Sequence, residues 1–171
     1  MILVIIVLVV FIGLFYYLST HNTEQENQPA PSENQSSAAL NLTNEDTDYQ
    51  FLYPDYEIAY VYILNTFSKQ LDKFEEDSSS EKELNQVIDD FDVLVSDFLA
   101  KVPESTEKFQ KSRDFAVSSA DKTKSALVGF KQLIESGESV HSEKEMDALS
   151  DAVADFKESQ EAYKEIMETI K

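Results

Sequence analysis

Residues 53–74 read YPDYEIAYVYILNTFSKQLDKF. Within them Tyr53, Tyr56, Tyr60, Ile63, Phe67, Leu71 and Phe74 recur at three- and four-residue steps, the period of one face of an α-helix. The spacing predicts an amphipathic helix from about Pro54 to Glu76. Pro54 suits a first helical turn, where its missing N–H removes no hydrogen bond, and Asp55 and Glu57 suit the positive end of the helix dipole. Tyr49, Phe51 and Leu52 lie just upstream and are expected to pack back on the same domain.

The same period continues downstream. Ser80-x-x-Glu83 reads as a capping box for a second helix. That helix carries Leu84, Val87, Ile88, Phe91, Leu94, Val95, Phe98 and Leu99, and stops near Val102. Pro103, with Glu104 and Glu107 behind it, predicts the start of a third helix. There Glu104/Lys108 and Glu107/Lys111 would form supporting i, i+4 pairs. Its inner face reads Phe109, Ala116, Ala120, Thr123, Leu127, Phe130 and Ile134, with small residues in the middle and Gly137 as the stop. Ser142-x-x-Glu145 is a second capping box. The last helix repeats Met146, Leu149, Val153, Phe156, Gln160, Tyr163, Met167 and Ile170, a coiled-coil-like seam with one polar interruption. The fold class is therefore all-α, an antiparallel four-helix bundle over residues 48–171. Because Lys101-Val102-Pro103 is a short junction, the alternative is a three-helix bundle with one long helix kinked at Pro103.

Upstream of the bundle the composition changes twice. Ile2 to Leu18 reads ILVIIVLVVFIGLFYYL and contains no charged side chain. At a rise of 1.5 Å per residue it would be about 25 Å long, enough to cross most of a bilayer's hydrocarbon core. Tyr16 and Tyr17 fall where an interfacial aromatic belt would lie. No Lys or Arg precedes the run and no small-x-small cleavage site closes it, so residues 1–20 are expected to be an uncleaved single-pass transmembrane anchor. Residues 21–47 are rich in Asn, Gln, Ser, Pro and Glu and show no apolar period, the composition of a disordered linker. The first Lys is Lys69, and the linker carries Glu24, Glu26 and Glu33 instead of the basic residues that mark a cytoplasmic flank. The expected localisation is the cell membrane, with the C-terminal domain extracytoplasmic.

Charge and composition exclude several function classes. The 171 residues carry a formal charge of −19, which repels nucleic acid and anionic head groups. No Cys is present, so thiol chemistry, disulfides and cysteine-based metal sites are excluded. His21 and His141 lie in the linker and in a turn, outside any Glu-x-x-His or zincin spacing. The three glycines, Gly13, Gly129 and Gly137, form no phosphate loop. Asp147, Asp151 and Asp155 line one side of the last helix, but a straight helix cannot wrap a calcium ion. The chain is read as a non-enzyme with no cofactor and no resident metal.

The remaining candidates are aromatic. Tyr53, Tyr56, Tyr60 and Tyr62 could line a cleft opposite the small residues of the third helix. Tyr49 and Tyr62 fall outside the main stripe and could touch a partner, since exposed tyrosine favours interfaces. The expected function is that of a membrane-tethered extracytoplasmic helical binding or adaptor module, engaging another protein or an envelope component. The alternative is a small-ligand-sensing bundle. In outline the layout resembles the extracytoplasmic four-helix sensor domains of bacterial chemoreceptors, in which a second span after the last helix carries the signal inward. This sequence has no second apolar run through Lys171, so a sensor of that kind would act with a separate signalling partner.

Overall fold

The computed structural model describes residues 42–170. The expected anchor, residues 1–20, and residues 21–41 of the expected linker lie outside the described residues. Four helices follow: α1 (Asn44–Glu76), α2 (Glu81–Lys101), α3 (Gln110–Ser136) and α4 (Glu143–Ile170), with a 3₁₀ turn at Ser78–Ser80 between the first two. No strand occurs among the described residues, and none of their helices is long and apolar enough to cross a membrane.

The helices run antiparallel in sequence. Tyr56 stacks on Phe98 and Phe67 packs near Phe91, so α1 and α2 run in opposite directions. Lys124 reaches Ser96 and Lys131 reaches Asp89, which sets α3 against α2 in the same way. Ser112 and Lys122 of α3 contact Ser159 and Asp155 of α4, giving the third antiparallel pair. The α3–α4 interface is the most extensive. It is built from small residues, with Ala116, Ser119, Ala120 and Ala126 buried on α3 and Ala152, Ser159 and Ala162 on α4. Short side chains let the two backbones approach closely. At Gly129 the approach is tight: a Cβ there would stand 2.5 Å from Glu145 Cγ. Of the expected α4 seam, Leu149 and Phe156 are buried and Met146, Tyr163, Met167 and Ile170 pack against the core. Ala152 and Ser159 take the buried positions, and their neighbours Val153 and Gln160 are only half-buried.

The first helix starts well before Pro54. Thr43 and Asp46 form a reciprocal capping box, the Asp46 N–H donating to Thr43 Oγ1 at 3.0 Å and the Thr43 N–H to Asp46 Oδ2 at 3.1 Å. Residues 44–47, expected to close the linker, are the first turn of α1. Pro54 is therefore in the helix interior and leaves the Gln50 carbonyl without its helical donor. The Tyr163 hydroxyl of α4 supplies that donor at 3.0 Å. Extending the helical phase upstream also carries Tyr49 inward, four residues before Tyr53, and turns Phe51 outward. Tyr49 thus packs on the domain as expected and is not the partner contact also considered for it, whereas Phe51, expected against the domain, is exposed.

The third helix starts later than Pro103. Val102 is extended (ψ 131°), as the residue before a proline is forced to be, and α3 begins only at Gln110. The intervening loop rules out a single helix kinked at Pro103. It is held by the Lys108 N–H donating to Asp46 Oδ1 at 2.8 Å and by Arg113 Nε donating to the Pro103 carbonyl at 2.9 Å. The expected Glu104/Lys108 and Glu107/Lys111 ladders need a helix that this segment does not form. Lys108 pairs with its neighbour Glu107 at 2.7 Å.

The other helix ends are mixed. Gly137 (φ 68°) closes α3 in a Schellman motif, with Gly137 N–H donating to the Ile134 carbonyl and Glu138 N–H to the Leu133 carbonyl. Ser80 makes no side-chain cap on α2. Its hydroxyl donates to the Asp77 carbonyl at 2.9 Å, while the Asp77 carboxylate accepts from the Ser79 N–H at 2.9 Å. At the entry to α4 the Ser142 hydroxyl donates to the Glu145 carboxylate.

Candidate functional site

Tyrosines of α1 hold that helix against α3 and α4. Tyr49, Tyr53, Tyr56 and Tyr60 are all buried. Ser159 donates to the Phe156 carbonyl at 2.6 Å, so the Tyr53 hydroxyl donates to Ser159 Oγ, also at 2.6 Å. Ser112 donates to the Ser159 carbonyl, so the Tyr49 hydroxyl donates to Ser112 Oγ at 2.9 Å. Tyr60 and Thr123 share a 2.7 Å hydrogen bond. These are long rings reaching across to short hydroxyl side chains, and together they span the gap between α1 and the close α3–α4 pair.

Tyr56 is the exception, because its buried hydroxyl has no hydrogen-bond partner. Its ring stacks on Phe98 at a centroid distance of 3.8 Å, while Tyr60 stacks on Phe156 at 4.2 Å. Rings therefore occupy the space beside Tyr56, Tyr60 and Ala120 in which a ligand cleft was considered. Burial raises the pKa of all four phenols, so they are neutral at physiological pH. Burial also raises the Glu57 carboxyl, opposed by the 2.7 Å hydrogen bond from Gln160 Nε2. This interior binds helix to helix.

The charged surface is partly paired. A shallow groove between α3 and α4 is lined by Lys111, Asp114, Phe115, Ser118, Lys122 and Asp155. Asp155 accepts from Lys122 and from Ser118, each at 2.6 Å. Burial raises its pKa, but those two donors more than offset it, and the carboxyl sits below its usual range. His141, read from sequence as a solvated turn residue, lies 2.7 Å from the Glu75 carboxylate and ties the α3–α4 turn to the end of α1. No group of three or more His, Asp or Glu side chains converges on a metal position among the described residues.

The outer face of α1 carries the feature that sequence reasoning found only in part. Phe51 is 75% exposed, Ile58 68% and Tyr62 73%. Their seven- and four-residue steps align them on one face along roughly 16 Å of helix. Of the five tyrosines singled out from sequence, Tyr62 alone lies on this surface; Tyr49, Tyr53, Tyr56 and Tyr60 are in the core. Phe51 was missed because a helix starting at Pro54 leaves it outside the helical phase. The signal that would have found it is the Thr43-x-x-Asp46 cap.

No protein-family model matches the chain, and no curated protein or solved structure matches it.

Proposed function

We propose that the protein is a membrane-tethered, extracytoplasmic helical adaptor, held by residues 1–20 and engaging another protein through the surface of its bundle. The observation that carries this reading is the row Phe51, Ile58 and Tyr62, three large apolar side chains left in water on a strongly acidic domain. Large apolar side chains aligned on one exposed helix face favour an interaction surface. A core filled by stacked rings favours surface recognition over enclosure of a small ligand. The uncharged run Ile2–Leu18 supports the tether, and the absence of Lys or Arg before Lys69 supports the outward orientation.

Two experiments test it. Protease added outside intact cells should cut within residues 21–47; protection of that segment overturns the orientation. Affinity recovery of the full chain from membranes should bring down a specific protein, and recovery of none overturns the adaptor role.

A further inference from the structure

We infer that the outer face of α1, centred on Ile58, docks a basic amphipathic helix of a different protein. The inference rests on the adaptor reading and specifies its surface and the chemistry of its partner.

The argument begins with shape. Phe51, Ile58 and Tyr62 make a ridge about three helical turns long, and Asp55 interrupts it on the same side. A second helix laid along such a ridge would present apolar residues at three- and four-residue steps, the usual mode of helix recognition.

Charge then selects among occupants. From Asn44 to Ser68 α1 carries Glu45, Asp46, Asp48, Asp55 and Glu57 and no Lys or Arg; the exposed Lys69 follows on the same face two turns beyond Tyr62. Asp46 is turned inward to the loop before α3, and Glu57 is bonded to Gln160. Glu45, Asp48 and Asp55 are exposed. A second copy laid parallel on the same ridge would set Asp48 and Asp55 against their own counterparts, and in either direction it would bring a chain of formal charge −19 to an acidic face, which opposes the contact. Anionic head groups meet the same repulsion. A helix with Lys or Arg flanking its apolar row gains both burial and complementary charge.

The test uses the full chain in its own membrane, carrying Ile58→p-benzoylphenylalanine. A second version carries the same photoreactive residue at Val128, an exposed position on α3. After illumination the joined peptide is sequenced. The expected adduct at position 58 is a segment of another protein, net positive, with apolar residues at three- and four-residue steps. Adding Phe51→Ser and Tyr62→Ser should lower its yield about tenfold, as loss of interface anchors does. An adduct to a second copy of this chain, to lipid, or to an acidic or uncharged segment overturns the inference. So does an unchanged yield in the double variant. A protein adduct at position 128 and none at 58 overturns the docking face while leaving the adaptor reading intact. No protein adduct at either position overturns both.

Discussion

The Tyr163 hydroxyl donates to the Gln50 main-chain carbonyl at 3.0 Å, across the α1–α4 interface. That carbonyl is the one Pro54 leaves unpaired inside α1, so a tertiary contact repairs a local defect. Tyr163→Phe keeps the ring on Phe109 and removes only the donor. It should cost about 1 kcal/mol in urea unfolding followed by circular dichroism. Pro54→Ala restores the helical N–H. In that background Tyr163→Phe should cost markedly less, and strictly additive effects would show that the two residues are not coupled.

The four buried tyrosines should respond unequally to loss of their hydroxyls. Tyr53→Phe removes the donor to Ser159 Oγ, which keeps its own bond to the Phe156 carbonyl, and should cost about 1 kcal/mol; Tyr60→Phe removes the partner of Thr123 and should cost about 1 to 2 kcal/mol. Tyr56→Phe removes a buried hydroxyl that bonds to nothing and should be neutral or stabilising by about 1 kcal/mol. Urea midpoints of the three variants decide the ordering. A Tyr56→Phe loss as large as that of Tyr60→Phe would mean that the Tyr56 hydroxyl has a partner in solution.

Sequence periodicity located the helical core because burial imposes the period of the helix on the apolar residues. The stripe from Tyr53 to Leu71 and the stop at Gly137 stand as expected. The helix starts at Pro54 and Pro103 do not, for one shared reason. Proline is tolerated in a first turn, and that preference says nothing when tertiary contacts override it. Tyr163 rescues the carbonyl before Pro54, and Asp46 holds the loop after Pro103. Both partners lie far away in sequence, beyond the reach of any local signal. The candidate surface was half-legible for a different, local reason: Tyr62 was visible from within the expected helix, whereas Phe51 belongs to turns that the Thr43-x-x-Asp46 cap reveals.

Alkaline unfolding should be driven by the phenols. Burial raises Tyr49, Tyr53, Tyr56 and Tyr60 above the ordinary phenol value, so the folded state favours their neutral form. Their contribution is complete below the unfolded value of about 10 and is lost as pH rises above it, because the unfolded chain ionises first. Phenolate absorbance from these four residues should therefore appear together with the loss of helical signal. Their ionisation while the circular dichroism stays native would contradict their burial.

The acid limb should depend on Asp46. Burial raises its carboxyl pKa, but donors from Thr43 and from the Lys108 and Phe109 amides outweigh that effect, and the net shift is downward. A carboxylate lowered in the folded state adds stability above its unfolded pKa of about 3.9, and that stability is lost as pH falls through the folded value. Asp46→Asn should therefore be less stable than the parent by about 1 to 2 kcal/mol at neutral pH, since it weakens charge-assisted bonds to both the α1 cap and the α2–α3 loop. The gap should narrow below about pH 4, where the parent carboxylate begins to protonate in the unfolded chain. Amide exchange gives the local readout. The Lys108 N–H should exchange faster in the variant, because its acceptor changes from a carboxylate to a neutral amide oxygen. Equal exchange rates at Lys108 would mean that the loop is held by Phe109 and Arg113 and not by Asp46.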